Sequence, residues 1–277
     1  MNLIKSVFIS AYITVLSLLT LWAGYGLWQT ASVGYVGLLL AALPGLLFFV
    51  QLFLSPKART SSLLLPVQLP TWAGVIAALI FGDIWVQIGA LVAGTGLLAY
   101  VFWYSRLGRE ESEQLLKGKR LPDLAFVDSE GAAVTLQQFA GQPVLMLFYR
   151  GNWCPLCMAQ IKEIAKGYQA LKDRGVQLLM ISSQPHAETA KLASRFDAPM
   201  TFLVDKGNQA AQILGIAHKD GLPGGLQALG YDSDTTLPTV ILADGNGRVI
   251  AADQTDNYRV RPEPETFLLW LDEANVV

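Results

Sequence analysis

The only two cysteines of the chain, Cys154 and Cys157, lie three positions apart in the run Trp153-Cys154-Pro155-Leu156-Cys157. Three positions is one turn of a helix, close enough for one thiol to attack a mixed disulfide formed on the other. Two cysteines cannot make a disulfide framework. A four-ligand zinc site would have to recruit His186 and His218, the only histidines. Thiol exchange is therefore the expected chemistry, with half a metal site or a structural cysteine pair as the alternatives.

The elements around the pair say how it is positioned. Residues 143–149 form a continuous apolar run between Gly141 and Gly151, as a strand buried on both faces requires. From Pro155 to Arg174, Met158, Ile161, Ile164, Tyr168 and Leu171 recur at helical spacing, and a second apolar strand is expected at residues 176–182. Strand, helix and strand joined so closely make a right-handed crossover with parallel strands. Cys154 then stands where the strand turns into the helix, with Pro155 at the first helical position, where its missing N–H costs nothing. Unpaired N–H groups and the helix dipole favour an anion there, so Cys154 is expected to ionise below the ~8.5 of a free thiol. Cys154 reads as nucleophile and Cys157 as resolver.

Further elements follow the same logic. A hairpin with a short helical turn is expected over residues 124–139, a helix at 187–196, a strand at 200–204 and a short helix at 209–214. Residues 239–243 and 248–252 flank Asp244-Gly245-Asn246-Gly247, a turn that closes an antiparallel hairpin, and residues 263–273 supply a last helix. Mixed strands with helices on both faces give an α/β fold.

The amino-terminal part is of another kind. Hydrophobic residues make up 52% of the 277-residue chain and charged residues only 15%, against about 25% in an ordinary soluble domain. From Ser6 to Tyr104 the only charged residues are Lys57, Arg59 and Asp83. Residues 6–28 and 33–54 each match the about 20 apolar residues that cross a bilayer. The first is too long for a signal-peptide core and is expected to stay in the mature protein. Residues 63–81 and 85–104 read as a hairpin with Asp83 at its tip, which makes four spans; in the alternative, only the second of these crosses. With four spans, Lys5, Lys57, Arg59, Arg106 and Arg109 all fall on one side, which places both termini in the cytoplasm of a bacterial inner membrane; three spans would place the soluble domain in the periplasm. Trp22, Trp28, Trp72, Trp85, Trp103 and Tyr104 fall near the span ends as interface residues. No Cys or His precedes Cys154, so this region cannot relay electrons through thiols and reads as a bilayer anchor. Its length also allows a redox-regulated membrane scaffold. Residues 106–120, with Glu110, Glu111, Glu113, Lys117 and Lys119, read as a solvated helical linker. The expected division is thus 1–105 membrane, 106–120 linker and 121–277 soluble domain. A net charge of −2 gives no nucleic-acid footprint.

Over residues 119–277 the chain resembles the thioredoxin-like superfamily, specifically its redoxin or peroxiredoxin-like branch, also called alkyl hydroperoxide reductase/thiol-specific antioxidant. The resemblance rests on Leu121-Pro122-Asp123-Leu124, on Asp128 to Gly131 before Val134-Thr135-Leu136, on the run from Phe148 to Cys157, and on Leu237-Pro238-Thr239. It implies a thioredoxin-like fold and an antioxidant oxidoreductase acting on protein disulfides or peroxides. It also implies reduction by an external thiol, with no cofactor. Pro238 would be a cis proline packed opposite the active disulfide, its neighbouring backbone holding the substrate. Trp153 and Pro155 belong to the same motif. Peroxiredoxins typically carry Thr or Ser three residues before the reactive cysteine, where this chain has Gly151, which limits the peroxidase implication. Arg150 is the first choice to stabilise a thiolate or a peroxide oxygen, followed by Arg195 and Arg259, with Asp256 to Arg259 as a possible site cap.

Overall fold

The computed structural model describes residues 2–274, so residues 1 and 275–277, the outer ends of the expected membrane and redoxin segments, lie outside it. The chain divides into two compact units, Leu3–Pro56 with Thr60–Arg106, and Lys57–Arg59 with Leu107–Val277.

The first unit is helical: α1 (Asn2–Thr30), α2 (Val33–Leu54), α3 (Leu65–Phe81) and α4 (Ile84–Leu98), the last continued by a π-helical turn, Ala99–Tyr104. The caps are written in the sequence. Ser32 accepts the Gly34 N–H at the start of α2, and Asp83 accepts the Trp85 and Val86 N–H groups at the start of α4. Capping explains why one carboxylate interrupts the apolar hairpin. Leu16, Leu38, Val75, Ala78, Leu97 and Tyr100 share one buried core. Helices α2 and α3 meet backbone to backbone: a Cβ on Gly37 would lie 2.5 Å from Ala78 N, and one on Gly74 would lie 2.4 Å from Ala41 N.

Among the described residues, three helices, not the expected four, are long and apolar enough to cross a membrane: Ile4–Thr30, Val33–Leu54 and Ile84–Tyr104. The expected span over residues 63–81 starts late, because Leu64 turns left-handed (φ 50°) ahead of Pro66. That leaves α3 with 17 residues. At 1.5 Å per residue it reaches about 26 Å, short of a hydrocarbon core of about 30 Å. Of the expected interface aromatics, Trp28 and Trp85 are exposed, whereas Trp22, Trp72 and Tyr104 pack against the bundle core.

The second unit runs β1 (Ala125–Asp128), β2 (Ala133–Thr135), β3 (Val144–Phe148), α5 (Pro155–Lys166), α6 (Tyr168–Lys172), β4 (Gln177–Ser182), α7 (His186–Ala193), β5 (Thr201–Val204), α8 (Gln209–Ile213), β6 (Ala217–His218), β7 (Thr235–Thr236), β8 (Thr239–Ala243), β9 (Val249–Asp253) and α9 (Pro264–Glu273). Seven strands form one sheet in the order β2-β1-β5-β4-β3-β8-β9. Strands β3, β4 and β5 are parallel, and β1, β8 and β9 run antiparallel to their neighbours. This mixed sheet with flanking helices is the expected thioredoxin-like arrangement. Every residue of β3 is buried, as its unbroken apolar run requires.

Two details differ from expectation. The helix read over 155–174 breaks at Gly167, giving α5 and α6. The linker is not a solvated helix: it holds only a short 3-10 turn, Glu113–Leu115, with Ser112 and Leu115 buried. Its end pairs with β9, Gly118 N–H donating to Val249 O and Val249 N–H to Lys119 O. At this end of the linker, backbone bonds from residues 118–121 to residues 247–249 take the place of helical hydrogen bonds.

Candidate active site

Strand β3 ends at Phe148, and the Tyr149 N–H still donates to Ile181 O of β4 (2.9 Å), so the chain leaves the sheet from a fixed point. Residues 150–153 then turn, and Cys154 takes the N-cap position of α5 with Pro155 in its first turn. The Cys157 N–H donates to Cys154 Sγ at 3.4 Å. Both cysteines are free and fully enclosed, their sulfurs 2.6 Å apart.

Gly151 shows why this loop excludes larger residues. Its φ of +150° suits glycine, and a Cβ there would lie 2.4 Å from Trp153 Nε1. The Trp153 ring in turn lies under the Arg150 guanidinium, 4.8 Å from its centroid. The missing Thr or Ser at this position is thus built into the loop. Arg150 also donates through Nη2 to Gly221 O, and Thr235 Oγ1 donates to Arg150 O at 3.0 Å. Asn152 is held on three sides. Its N–H donates to Gln184 Oε1 (2.7 Å), its Nδ2 to Glu188 Oε2 (2.6 Å), and the Tyr231 hydroxyl donates to its Oδ1. Gln184 Nε2 extends the network to Thr189 Oγ1 (3.1 Å) and Tyr149 OH (3.2 Å).

On the helix side, Gln160 follows Cys157 by one turn on the buried face of α5. Its Oε1 accepts from Arg261 Nη1 at 2.8 Å, Tyr258 O accepts from Arg261 Nε at 2.9 Å, and Arg261 Nη2 reaches Cys157 Sγ at 3.6 Å. Arg261 is buried. A cavity of about 10 Å³, room for no more than one water, is lined by Gln160, Arg261, Tyr258 and Pro238.

Electrostatics separate the two thiols. Burial works to raise Cys157, but the hydrogen bond from Cys154, the Arg261 charge and the Arg150 N–H and charge outweigh it and bring Cys157 down to about 5. Burial, together with the hydrogen bond to Cys157 and its charge, pushes Cys154 well above the usual thiol range. The direction at Cys154 is opposite to the sequence expectation, because burial and a neighbouring anion outweigh the helix terminus. The helix start and the Arg261 and Arg150 charges together favour one anion on this pair.

The structure brings Cys154, Cys157, Trp153, Pro155 and Arg150 together and places Pro238 beside Gln160 and Arg261. Pro238 is not cis: no cis peptide occurs among the described residues. Its trans peptide carries the chain from β7 into β8, with the Leu237 N–H donating to Ile216 O (2.8 Å) and Thr239 paired with Phe148. Arg195 is exposed and Arg259 is fully buried. Sequence reasoning missed Arg261, Gln160, Asn152 and Tyr231. Gln160 carried a signal, a polar residue inside an apolar helical stripe. Arg261 carried none, lying two residues beyond the arginine that was singled out.

A cysteine pair at the start of the helix that follows a central buried strand defines a thiol-active redoxin domain. Residues 117–252 match the AhpC/TSA family. The chain is 30% identical over 100 residues to peroxiredoxin Q, chloroplastic, of Oryza sativa subsp. japonica, covering 36% of this chain and 46% of that protein. It is 24% identical over 157 residues to the thiol-disulfide oxidoreductase ResA of Bacillus cereus, covering 56% of this chain and 79% of that one. The chain thus spans about half the length of the peroxiredoxin Q relative. Among solved structures, peroxidoxin BcpB of Mycobacterium tuberculosis aligns at TM-score 0.46 and 20% identity, over 57% of this chain and 96% of that one. The thiol peroxidase of Chromobacterium violaceum aligns at 0.47 and 18%, over 57% and 87%.

Proposed function

We propose that this chain is a membrane-anchored thiol–disulfide oxidoreductase in which Cys154 attacks a substrate disulfide and Cys157 resolves the mixed disulfide. The observation that carries this reading is the pair of free thiols 2.6 Å apart at the start of α5. Attack by the Cys154 sulfur breaks the substrate S–S bond and releases one substrate thiol. Attack by Cys157 on Cys154 then releases the second, leaving an intramolecular disulfide that an external thiol reduces. The name of the ResA relative accords with this chemistry. Gly151 counts against a peroxide-binding hydroxyl, so disulfides take precedence over peroxides as substrates.

Anchoring rests on the three long apolar helices. We take residues 1–105 as the anchor and residues 121–277 as the redoxin domain. Lys57–Arg59 belong to the same compact unit as the redoxin domain, and Arg59 Nη2 donates to Glu163 Oε2 at 2.6 Å, which favours the redoxin domain on the side of Lys57 and Arg59, the cytoplasmic side of a bacterial inner membrane. The reduced full chain in detergent should reduce a protein disulfide such as insulin. Cys154→Ser and Cys157→Ser should each lower turnover by more than about 1,000-fold, as removal of a covalent catalyst does. Turnover that survives in Cys154→Ser would refute the assignment. A dimedone adduct on Cys154 in Cys157→Ser after peroxide treatment would add peroxidase chemistry.

A further inference from the structure

We propose that Arg59, in the stretch of chain between α2 and α3, is a positioning residue of the thiol site: it fastens residues 261–263 to α5 and so seats the Arg261 guanidinium beside the two sulfurs. The inference rests on the proposed exchange chemistry at Cys154 and Cys157. It gives the amino-terminal part of the chain a role in that chemistry beyond anchoring.

The sequence creates the need for such a residue. Arg261-Pro262-Glu263-Pro264 carries two prolines, which have no N–H to donate, so the stretch cannot enter a helix interior or a sheet ladder through them. Its carbonyls still require donors. Arg59 supplies two of these: Nε donates to Arg261 O at 3.1 Å and Nη2 to Pro262 O at 3.2 Å. The same Nη2 donates to Glu163 Oε2 of α5 at 2.6 Å, and Nη1 lies 3.4 Å from Glu263 Oε1. An exposed ion pair alone contributes little. The Arg59 side chain is only 27% exposed, and its planar fork meets two carboxylates and two carbonyls at once, which the single ammonium of a lysine does not match. Residues 57–59 belong to the redoxin unit, and Ala58 is buried there.

The second argument is the line of contacts along α5. Cys157, Gln160, Glu163 and Gly167 recur at three or four residues and so share one face of the helix. Residues 261–264 follow that face in order. Arg261 meets Cys157 Sγ at 3.6 Å and Gln160 Oε1 at 2.8 Å, Arg59 bridges residues 261–263 to Glu163, and a Cβ on Gly167 would lie 3.4 Å from Pro264 Cβ. Arg59 therefore stands in the middle of a seam whose first member carries the cation.

The seam bears on the chemistry because the sulfurs of Cys154 and Cys157 lie 2.6 Å apart, so a guanidinium at this distance favours an anion on either of them. When an external dithiol reduces the Cys154–Cys157 disulfide, two electrons pass to the protein, its S–S bond breaks and the dithiol closes to its own disulfide. A cation beside an anionic sulfur favours the reduced side of that exchange. Without Arg59, residues 261–263 lose their tie to Glu163, Arg261 is held less closely, and the reduced pair is less favoured.

The test is the reduction equilibrium of the full chain in detergent at pH 7, with the disulfide fraction read by alkylation and mass in dithiol buffers. Arg59→Ala should lower the equilibrium constant for reduction at least about threefold, a fall of about 14 mV in potential, and Arg59→Lys should recover part of it. In an Arg261→Met background Arg59→Ala should add no further fall, because its effect passes through Arg261. An equal fall in that background would mean that Arg59 acts only through its own charge and would overturn the proposal. A lowered melting temperature with an unchanged potential in Arg59→Ala would mean a structural role alone and would overturn it too. If Arg261→Met does not fold, the two Arg59 variants decide. The expected shifts in a chain that fails to reduce insulin would sink the proposed function and leave this inference standing; insulin reduction with an unchanged potential in Arg59→Ala would do the reverse.

Discussion

In the helical unit, Gly37 and Gly74 let two backbones touch, and around them Leu16, Leu38, Val75 and Leu97 fill a core without a charge in it. At the thiol site the side chains are just as enclosed, yet two arginines, two thiols and a run of amide side chains meet there. The first region is held by shape and tolerates little change in volume. The second is held by directed bonds and is sensitive to changes in charge. Buried area alone would not tell the two apart; what distinguishes them is whether each buried polar group has a partner whose own charge can change.

The largest stability effect should come from the helical unit. Gly37→Leu drives a side chain into the Ala78 backbone and should cost about 3 kcal/mol. Thermal unfolding in detergent measures the loss, and the thiolate titration of protein that stays folded should not move. A moved titration would mean the comparison is drawn in the wrong place. Next, Gly151→Thr places a side chain against Trp153 at a φ that suits glycine and should cost about 1–3 kcal/mol. It should add no peroxidase activity despite restoring the hydroxyl, which a peroxide-consumption assay checks. The smallest effect belongs to Tyr231→Phe, which removes the hydroxyl bond to Asn152 and should lower stability by about 1 kcal/mol. A loss of several kcal/mol would show that the loop network acts as a unit.

The sequence made the strands, the crossover and the Cys154–Cys157 turn legible because each depends on local periodicity. Asp83 was legible only as the tip of a hairpin; its capping of α4, like that of α2 by Ser32, came from the structure. The length of α3 was not, since one left-handed residue, Leu64, decides where the helix begins. The linker was misread because its polar residues suit a helix, and the bonds that replace helical ones at its end go to β9, far along the chain. Arg261 lies 104 positions from Cys157, and their meeting depends on how the loop after β9 returns over α5. A charge partner of that kind has no local signature, and neither has the burial beside the Cys157 charge that reverses the expected direction of the Cys154 shift.

The same reversal sets a pH dependence. With Cys157 lowered to about 5 and an unfolded thiol near ~8.5, the folded reduced protein binds one proton fewer than the unfolded chain between those values. Its stability should rise with pH through that window. Above it the unfolded thiols lose both protons while Cys154 keeps its own, and stability should fall again.

Reduction of the disulfide takes up the same proton, so the potential reports it directly. The full chain in detergent would be equilibrated with dithiol buffers from pH 6 to 8 and its disulfide fraction read by alkylation and mass. A site that keeps one thiolate takes up one proton per two electrons, and its potential should fall by about 30 mV per pH unit. A slope of about 59 mV throughout that range would mean two protonated thiols and would contradict the account.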